Sequence, residues 1–432
     1  MNNAATRGQP RALAEVDSMI LGGAPHAVLF VGPGSVGKTT LALDLAAGLL
    51  CRDPDPSVRP CRMCRGCRLV ASGNHPDLHR LAPDGPGRQV KIGDSAHPDP
   101  GTVRFLIGEL ALLSAEGGAR VAIVEEAHRL NDDAQNALLK MLEEPPAGVT
   151  IILCADDEEC LLPTVRSRCV RVRLGAVAVR EIEHWLGDLG AADAPRAARL
   201  ARLAEGRPGL ALAYARSADA ERLRGEIARG IFDMLAARRQ PRLAAVRELL
   251  KSAAALNATL DLGRGADSAA SGPGSGGATA AGRGRKGKAG KAAEQVAAPG
   301  PATAPAAAAD PDAADGAEPE PEPGNTGKMS APERRAAAAT LLDVWSSVGR
   351  DLAVAQAGGM ERFREMALID DLPATAPAVS AEAITSFLAR LAEMDRRLDE
   401  NANPELALDV LALTWPQVDA TPAAGGAAGR RR

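Results

Sequence analysis

Two kinds of apolar pattern alternate along the first 175 residues. Continuous short runs, Ala27-Val28-Leu29-Phe30-Val31 and Val121-Ala122-Ile123-Val124, read as strands buried on both faces. Segments with helical periodicity separate them, such as Thr40-Leu41-Ala42-Leu43-Asp44-Leu45-Ala46 and Asn136-Ala137-Leu138-Leu139 with Met141-Leu142, the latter stopped by Pro145-Pro146. Strands alternating with helices predict a parallel sheet covered on both sides. Beyond residue 175 the pattern is helical throughout, with amphipathic stretches at 336–352 and 384–398 that predict a bundle. Asn403-Pro404 predicts a restarted helix, Asn403 capping and Pro404 preset for the first turn.

One segment breaks the periodicity altogether. Residues 264–330 are Gly, Ala, Pro, Ser and charge, with a basic block Arg283-Gly284-Arg285-Lys286-Gly287-Lys288 and an acidic block Glu318-Pro319-Glu320-Pro321-Glu322. Such a stretch buries too little apolar surface to offset its ordering entropy, so it is expected to be disordered, as is the tail 417–432. A coil of that length spans roughly 45 Å, enough to leave and rejoin one bundle.

The first strand leads into Gly32-Pro33-Gly34-Ser35-Val36-Gly37-Lys38-Thr39, a complete G-x-x-x-x-G-K-[ST] phosphate loop followed by Thr40 and a helix. The glycines let backbone N–H groups curl around a polyphosphate at a helix N-terminus; Lys38 is expected at the β- and γ-phosphates and Thr39 on Mg²⁺. ATP with Mg²⁺ is therefore an expected ligand. The second strand ends in Glu125-Glu126, where a phosphate-loop ATPase places an acid that supports the metal and a second, here Glu126, that polarises the attacking water. Glu125 stands where Asp is usual.

Cysteine usage adds a metal. Cys51, Cys61, Cys64 and Cys67 have C-x9-C-x2-C-x2-C spacing, which predicts a four-thiolate structural Zn²⁺ with no open coordination position. Arg52, Arg59, Arg62, Arg65 and Arg68 are expected to offset its charge, and Cys154, Cys160 and Cys169 to be small buried hydrophobes.

Composition then narrows the picture. The 432 residues carry a net charge of −4, which disfavours gripping nucleic acid by bulk charge. Aromatic residues are 2% against 46% hydrophobic, so the cores must rest on Ala, Leu and Val, and stacking on single-stranded nucleic acid is disfavoured. No run of 18 apolar residues and no apolar signal core at the start are present, so a soluble cytoplasmic protein without membrane contact is expected.

Three motifs in one order carry a family resemblance. The helix Asn131-Asp132-Asp133-Ala134-Gln135-Asn136-Ala137-Leu138-Leu139-Lys140-Met141-Leu142-Glu143-Glu144-Pro145-Pro146, the stretch Leu162-Pro163-Thr164-Val165-Arg166-Ser167-Arg168-Cys169, and the phosphate loop with its cysteine insert resemble the bacterial sliding-clamp-loader subunits of the AAA+ class. The likeness runs from Gln9 to about Ala215. It implies a RecA-like α/β domain over residues 1–174 with the zinc module at 51–67, a helical lid over 175–212 and an all-α collar over 213–263 and 331–416. It also implies that Arg168 acts as an arginine finger in a neighbouring subunit's site.

Within the family the sequence leans toward the delta prime type. Where gamma-type subunits carry a Thr that senses γ-phosphate, Ala155 or Asp156 falls, and a carboxylate there repels phosphate. Gly206-Arg207-Pro208-Gly209-Leu210-Ala211 resembles the delta prime "G-x-P-G-x-A" and lacks "S-x-R-D", Arg207 being displaced by two positions. Asn401-Ala402-Asn403-Pro404-Glu405-Leu406-Ala407-Leu408-Asp409 is similar to the motif that closes the delta prime collar. The resemblance implies gamma/tau and delta subunits as ring partners, the sliding clamp and primed DNA reached through the ring, and a place at the replisome on the nucleoid. Two readings compete: a gamma/tau-type motor ATPase and a zinc-dependent DNA-binding module acting alone. Whether this chain hydrolyses ATP itself is left open.

Overall fold

The apolar run 27–31 is strand β1 (Ala27–Val31), set behind helix α1 (Pro10–Gly22) and followed by α2 (Lys38–Leu49). The chain is seen here as a computed structural model that describes residues 3–83, 90–94, 99–116, 118–270, 329–399 and 402–418. After α2 come α3 (Arg65–Ala71), β2 (Leu78–Leu81), α4 (Val103–Ala111), β3 (Arg120–Val124), α5 (Asp132–Glu143), β4 (Val149–Ala155), α6 (Pro163–Arg166) and β5 (Val170–Arg173). The five strands are all parallel, in the order β2-β3-β4-β1-β5, with Ala27 opposite Ile151 and Val28 opposite Val170.

The continuous apolar runs have a direct cause. Val28, Phe30, Ile123 and Ile152 pack with Val16, Leu41 and Leu45 on one side, while Leu29, Val124, Ile151 and Leu153 pack with Leu106, Leu138 and Leu142 on the other. Alternate residues thus serve opposite faces, and every position must be apolar.

The helical part comprises α7 (Val179–Asp188), α8 (Ala194–Leu203), α9 (Pro208–Arg216), α10 (Ala218–Asp233), α11 (Arg239–Ala270), α12 (Ala331–Gln356), α13 (Leu372–Thr375), α14 (Ala381–Asp399) and α15 (Pro404–Thr414). A single buried cluster runs from Val177 to Trp415. The scarce aromatics converge there: the ring centroids of Trp345, Phe387 and Trp415 lie 4.6–5.7 Å apart. As expected, Asn403 caps α15, accepting from the N–H groups of Glu405 and Leu406.

Two expected boundaries shift. A lid ending at Leu212 would cut α9, whose break comes instead at Ser217, the N-cap of α10; lid and collar helices also share one core. An insert starting at Arg264 is likewise displaced, because α11 continues to Ala270. At the other end, Ser330 and Glu333 form a capping box that starts α12. Residues 271–328, Asn401 and 419–432 lie outside the described residues.

The collar is held by a buried ion network that reaches Tyr214 of α9 and that hydrophobic patterning gave no sign of. Arg224 on α10, 2% exposed, donates to Glu365 (2.8 Å) and Asp343 (3.0 Å), and to the Tyr214 hydroxyl (3.3 Å). Removing one partner strands the rest, so Arg224→Leu, which leaves Glu365 buried without its cation, is expected to cost about 3–5 kcal/mol of unfolding free energy in a urea titration.

Candidate functional site

The phosphate loop curls between β1 and α2 as the spacing predicts. Gly37 holds φ +107° just before α2, a conformation that disfavours any residue with a Cβ. The tip of β4 lies beside the start of the loop, the Gly32 N–H donating to Ala155 O at 3.3 Å. The lid closes over it from another side, with the Gly209 N–H at the start of α9 donating to Ser35 O at 2.9 Å. A cleft of about 1,120 Å³ opens here, lined by Gly34, Ser35, Gly37, Lys38, Thr39 and Thr40, by Glu125, Glu126 and Asp156, and by residues of the helical region.

Its charges are arranged differently from the expectation. Lys38 Nζ donates to Gly32 O (2.7 Å) and Pro33 O (2.8 Å) and pairs with Asp156 Oδ1 at 2.7 Å. Ala155 ends β4 fully buried, so Asp156, not Ala155, faces the loop. Glu125 accepts two hydrogen bonds from the Arg80 guanidinium of β2, at 2.6 and 2.9 Å. Glu126, at φ +49°, pairs with Arg129. His128, its pKa pushed down by burial, accepts the Asp156 N–H on Nδ1 at 3.2 Å. Arg207 lines the cleft, but its guanidinium is tied to Asp343 at 3.2 Å. The loop has the shape for a polyphosphate, and its lysine is engaged by a carboxylate that such a ligand would have to displace.

Arg168 is outside this cleft. It follows α6 and pairs with Glu143, the last residue of α5, at 2.6 Å, while Nη1 donates to Thr164 O at 2.8 Å. Gln135, 1% exposed, bridges the same two motifs: Nε2 donates to Leu130 O and Cys160 O, and Oε1 accepts from the Leu162 N–H. Both motifs thus work as one unit that holds Arg168. An isolated Gln in an otherwise apolar helical stripe was the only signal available for it in the sequence.

The four expected thiols converge, with all ligand atoms within 4.8 Å of one another. Cys51 Sγ lies 3.6 Å from Cys61 Sγ and 3.9 Å from Cys64 Sγ, against about 3.8 Å for the edge of a tetrahedron with Zn–S near 2.3 Å. The Cys64 and Cys67 N–H groups donate to Cys61 and Cys64 Sγ at 3.4 Å, turning the chain around the cluster. Burial works to raise the Cys64 thiol, but hydrogen bonds from the Cys67 and Arg52 backbone and from neighbouring thiols outweigh it and bring it down to about 6. This donor set fits zinc, which would crosslink the knuckle. Gly66 sits so close to the end of α2 that a Cβ would lie 2.4 Å from Leu50 O.

Of the five surrounding arginines, Arg52, Arg62 and Arg65 are engaged by carboxylates. Arg52 and Arg65 pair with Glu116, Arg62 pairs with Asp44, and Arg59 donates to Asp53 O. Asp44, 1% exposed on α2, also accepts from the Ala5 and Thr6 N–H groups, so it anchors the N-terminal segment as well as the knuckle. Cys154 is buried as expected, and burial pushes its thiol up to about 12; Cys160 is exposed and Cys169 only half-buried, because both stand in the surface segment around α6.

A phosphate loop on a parallel sheet of this order, a lid closing on it and a helical C-terminal region define a RecA-like AAA+ P-loop protein. Residues 8–178 match the family described as DNA polymerase III, delta subunit. The chain is 38% identical over 146 residues to the delta' subunit of DNA polymerase III from Pseudomonas aeruginosa, covering 34% of this chain and 42% of that one. It is 37% identical over 188 residues to the Escherichia coli delta' subunit (44% and 54% covered) and 37% identical over 205 residues to the E. coli tau subunit (46% and 30% covered). The chain thus spans about half or less of the length of these relatives. The matches relate part of this chain to the delta' and tau subunits of DNA polymerase III. Among the described residues, no helix is long and apolar enough to cross a membrane.

Proposed function

We propose that this chain is the delta prime subunit of a DNA polymerase III clamp loader. It joins gamma/tau and delta subunits in a ring in the cytoplasm, at the replisome, that opens the sliding clamp and releases it on primed DNA. In that ring it acts as a stator: Arg168 reaches a neighbour's γ-phosphate, where a planar charged donor stabilises the transferring group. The knuckle of Cys51, Cys61, Cys64 and Cys67 holds a structural zinc. The observation that carries the stator reading is the 2.7 Å pair between Lys38 and Asp156, which engages the phosphate-loop lysine while Arg168 lies outside the chain's own cleft. The likeness to the delta' subunits of P. aeruginosa and E. coli supports the same subunit type.

A gamma/tau-type motor is the second reading, favoured by the complete loop Gly32–Thr39, by Glu126 and by the E. coli tau likeness. In that case Thr39 and Glu125 would serve Mg²⁺. The test is reconstitution with the gamma/tau and delta subunits of the same source. Co-elution in a defined complex, clamp loading on primed DNA that needs this chain, and no ATP turnover by the chain alone are expected. Turnover by the purified chain at the rate of a gamma-type subunit would favour the motor.

A further inference from the structure

The cleft is charge-balanced by the chain itself. Five cations line it among the described residues, and each is answered by an internal carboxylate. Lys38 pairs with Asp156 at 2.7 Å and Arg129 with Glu126; Arg207 pairs with Asp343 at 3.2 Å, Arg224 with Glu365 at 2.8 Å, and Arg350 with Asp351 at 3.0 Å. A polyphosphate entering such a site meets no uncommitted cation. It must displace a carboxylate, and the one in the phosphate seat is Asp156.

Asp156 is built to hold that place. Its backbone is fixed at the end of β4 by the bond to His128, and Oδ1 forms an ion pair at 2.7 Å with Lys38 Nζ, which donates to Gly32 O and Pro33 O. Its other oxygen hangs over the loop, so that a Cβ at Gly34 would lie 3.1 Å from Oδ2. Two of the three ammonium protons go to carbonyls, and the Asp156 carboxylate answers the charge. Yet Asp156 is 44% exposed, so the pair faces the cleft and a ligand can compete for it.

We infer that the Asp156 carboxylate is an intramolecular stand-in for a nucleotide phosphate, and that it sets the affinity of this otherwise complete phosphate loop for ADP and ATP. The inference deepens the stator reading and rests on it for its meaning in the ring, but the two fail separately. Titration of the isolated chain decides the role of Asp156, whereas co-elution with gamma/tau and delta decides the subunit assignment.

The experiment titrates the full-length chain with a fluorescent N-methylanthraniloyl-ADP, with and without Mg²⁺, and displaces it with inorganic pyrophosphate. Asp156→Asn keeps the side-chain volume while removing the charge, and is expected to tighten binding 10- to 100-fold over the natural chain. Asp156→Ser, read alongside in case the amide disturbs the loop, should do the same. Adding Lys38→Ala to Asp156→Asn should abolish the gain. Binding by Asp156→Asn and Asp156→Ser no tighter than that of the natural chain, including no binding by any of them, overturns the inference. So does a gain that survives the loss of Lys38.

Discussion

Stripping zinc from the protein, or replacing Cys67 with Ser, should unravel residues 51–67 and leave the parallel sheet folded. Little apolar packing holds the knuckle: Met63 is 80% exposed and Val58 43% exposed, and its buried residues are Cys51, Pro60, Gly66 and Cys67. Four thiols within 4.8 Å cannot stay together once ionised without a cation between them. Apparent binding energies of about 10–16 kcal/mol are usual for structural zinc, so little of the local fold should survive its loss. Arg62 would leave Asp44, and the segment around Ala5 and Thr6 would lose part of its anchor. Metal analysis is expected to give one zinc per chain, and chelation should expose Arg59, Arg62 and Arg65 to trypsin while far-ultraviolet circular dichroism changes little. Protein purified without chelator and free of zinc would contradict this assignment.

Much of the sheet was legible because a strand buried on both faces has no freedom in its pattern. Ala27–Val31 and Val121–Val124 were readable almost to the residue for that reason. The phosphate loop and the thiol cluster were also readable, since each packs its chemistry into a short span of fixed spacing. What the sequence hid are contacts between distant segments. Asp44 looks like any polar position of a helix, yet it ties two other segments to it. Gln135 looks like a surface residue and is 1% exposed. Asp156 was visible as a carboxylate near the phosphate seat, but its bond to Lys38 depends on β4 lying next to β1, a long-range pairing. The insert was placed from Arg264 by composition, but α11 continues to Ala270 through Gly263 and Gly265 despite their low helix propensity.

Arg168→Ala should have the other large effect, and it acts on a site the chain does not own. Arg168 is about one-third exposed and held by Glu143, Thr164 and Ser167 at the surface, so truncation should leave the chain folded and ring assembly nearly intact. Loss of an arginine finger slows phosphoryl transfer on the order of 10³- to 10⁵-fold at the one site served, and less in the total while other sites keep firing. Lys38→Ala removes a lysine already engaged by Asp156, so turnover of the ring should barely change.

The most direct measurement is therefore the steady-state DNA- and clamp-stimulated ATPase of rings reconstituted with gamma/tau and delta and carrying either substitution in this chain. The stator account expects a clear loss with Arg168→Ala and near-normal turnover with Lys38→Ala. Loss of turnover with Lys38→Ala and none with Arg168→Ala would contradict it and install the motor reading instead.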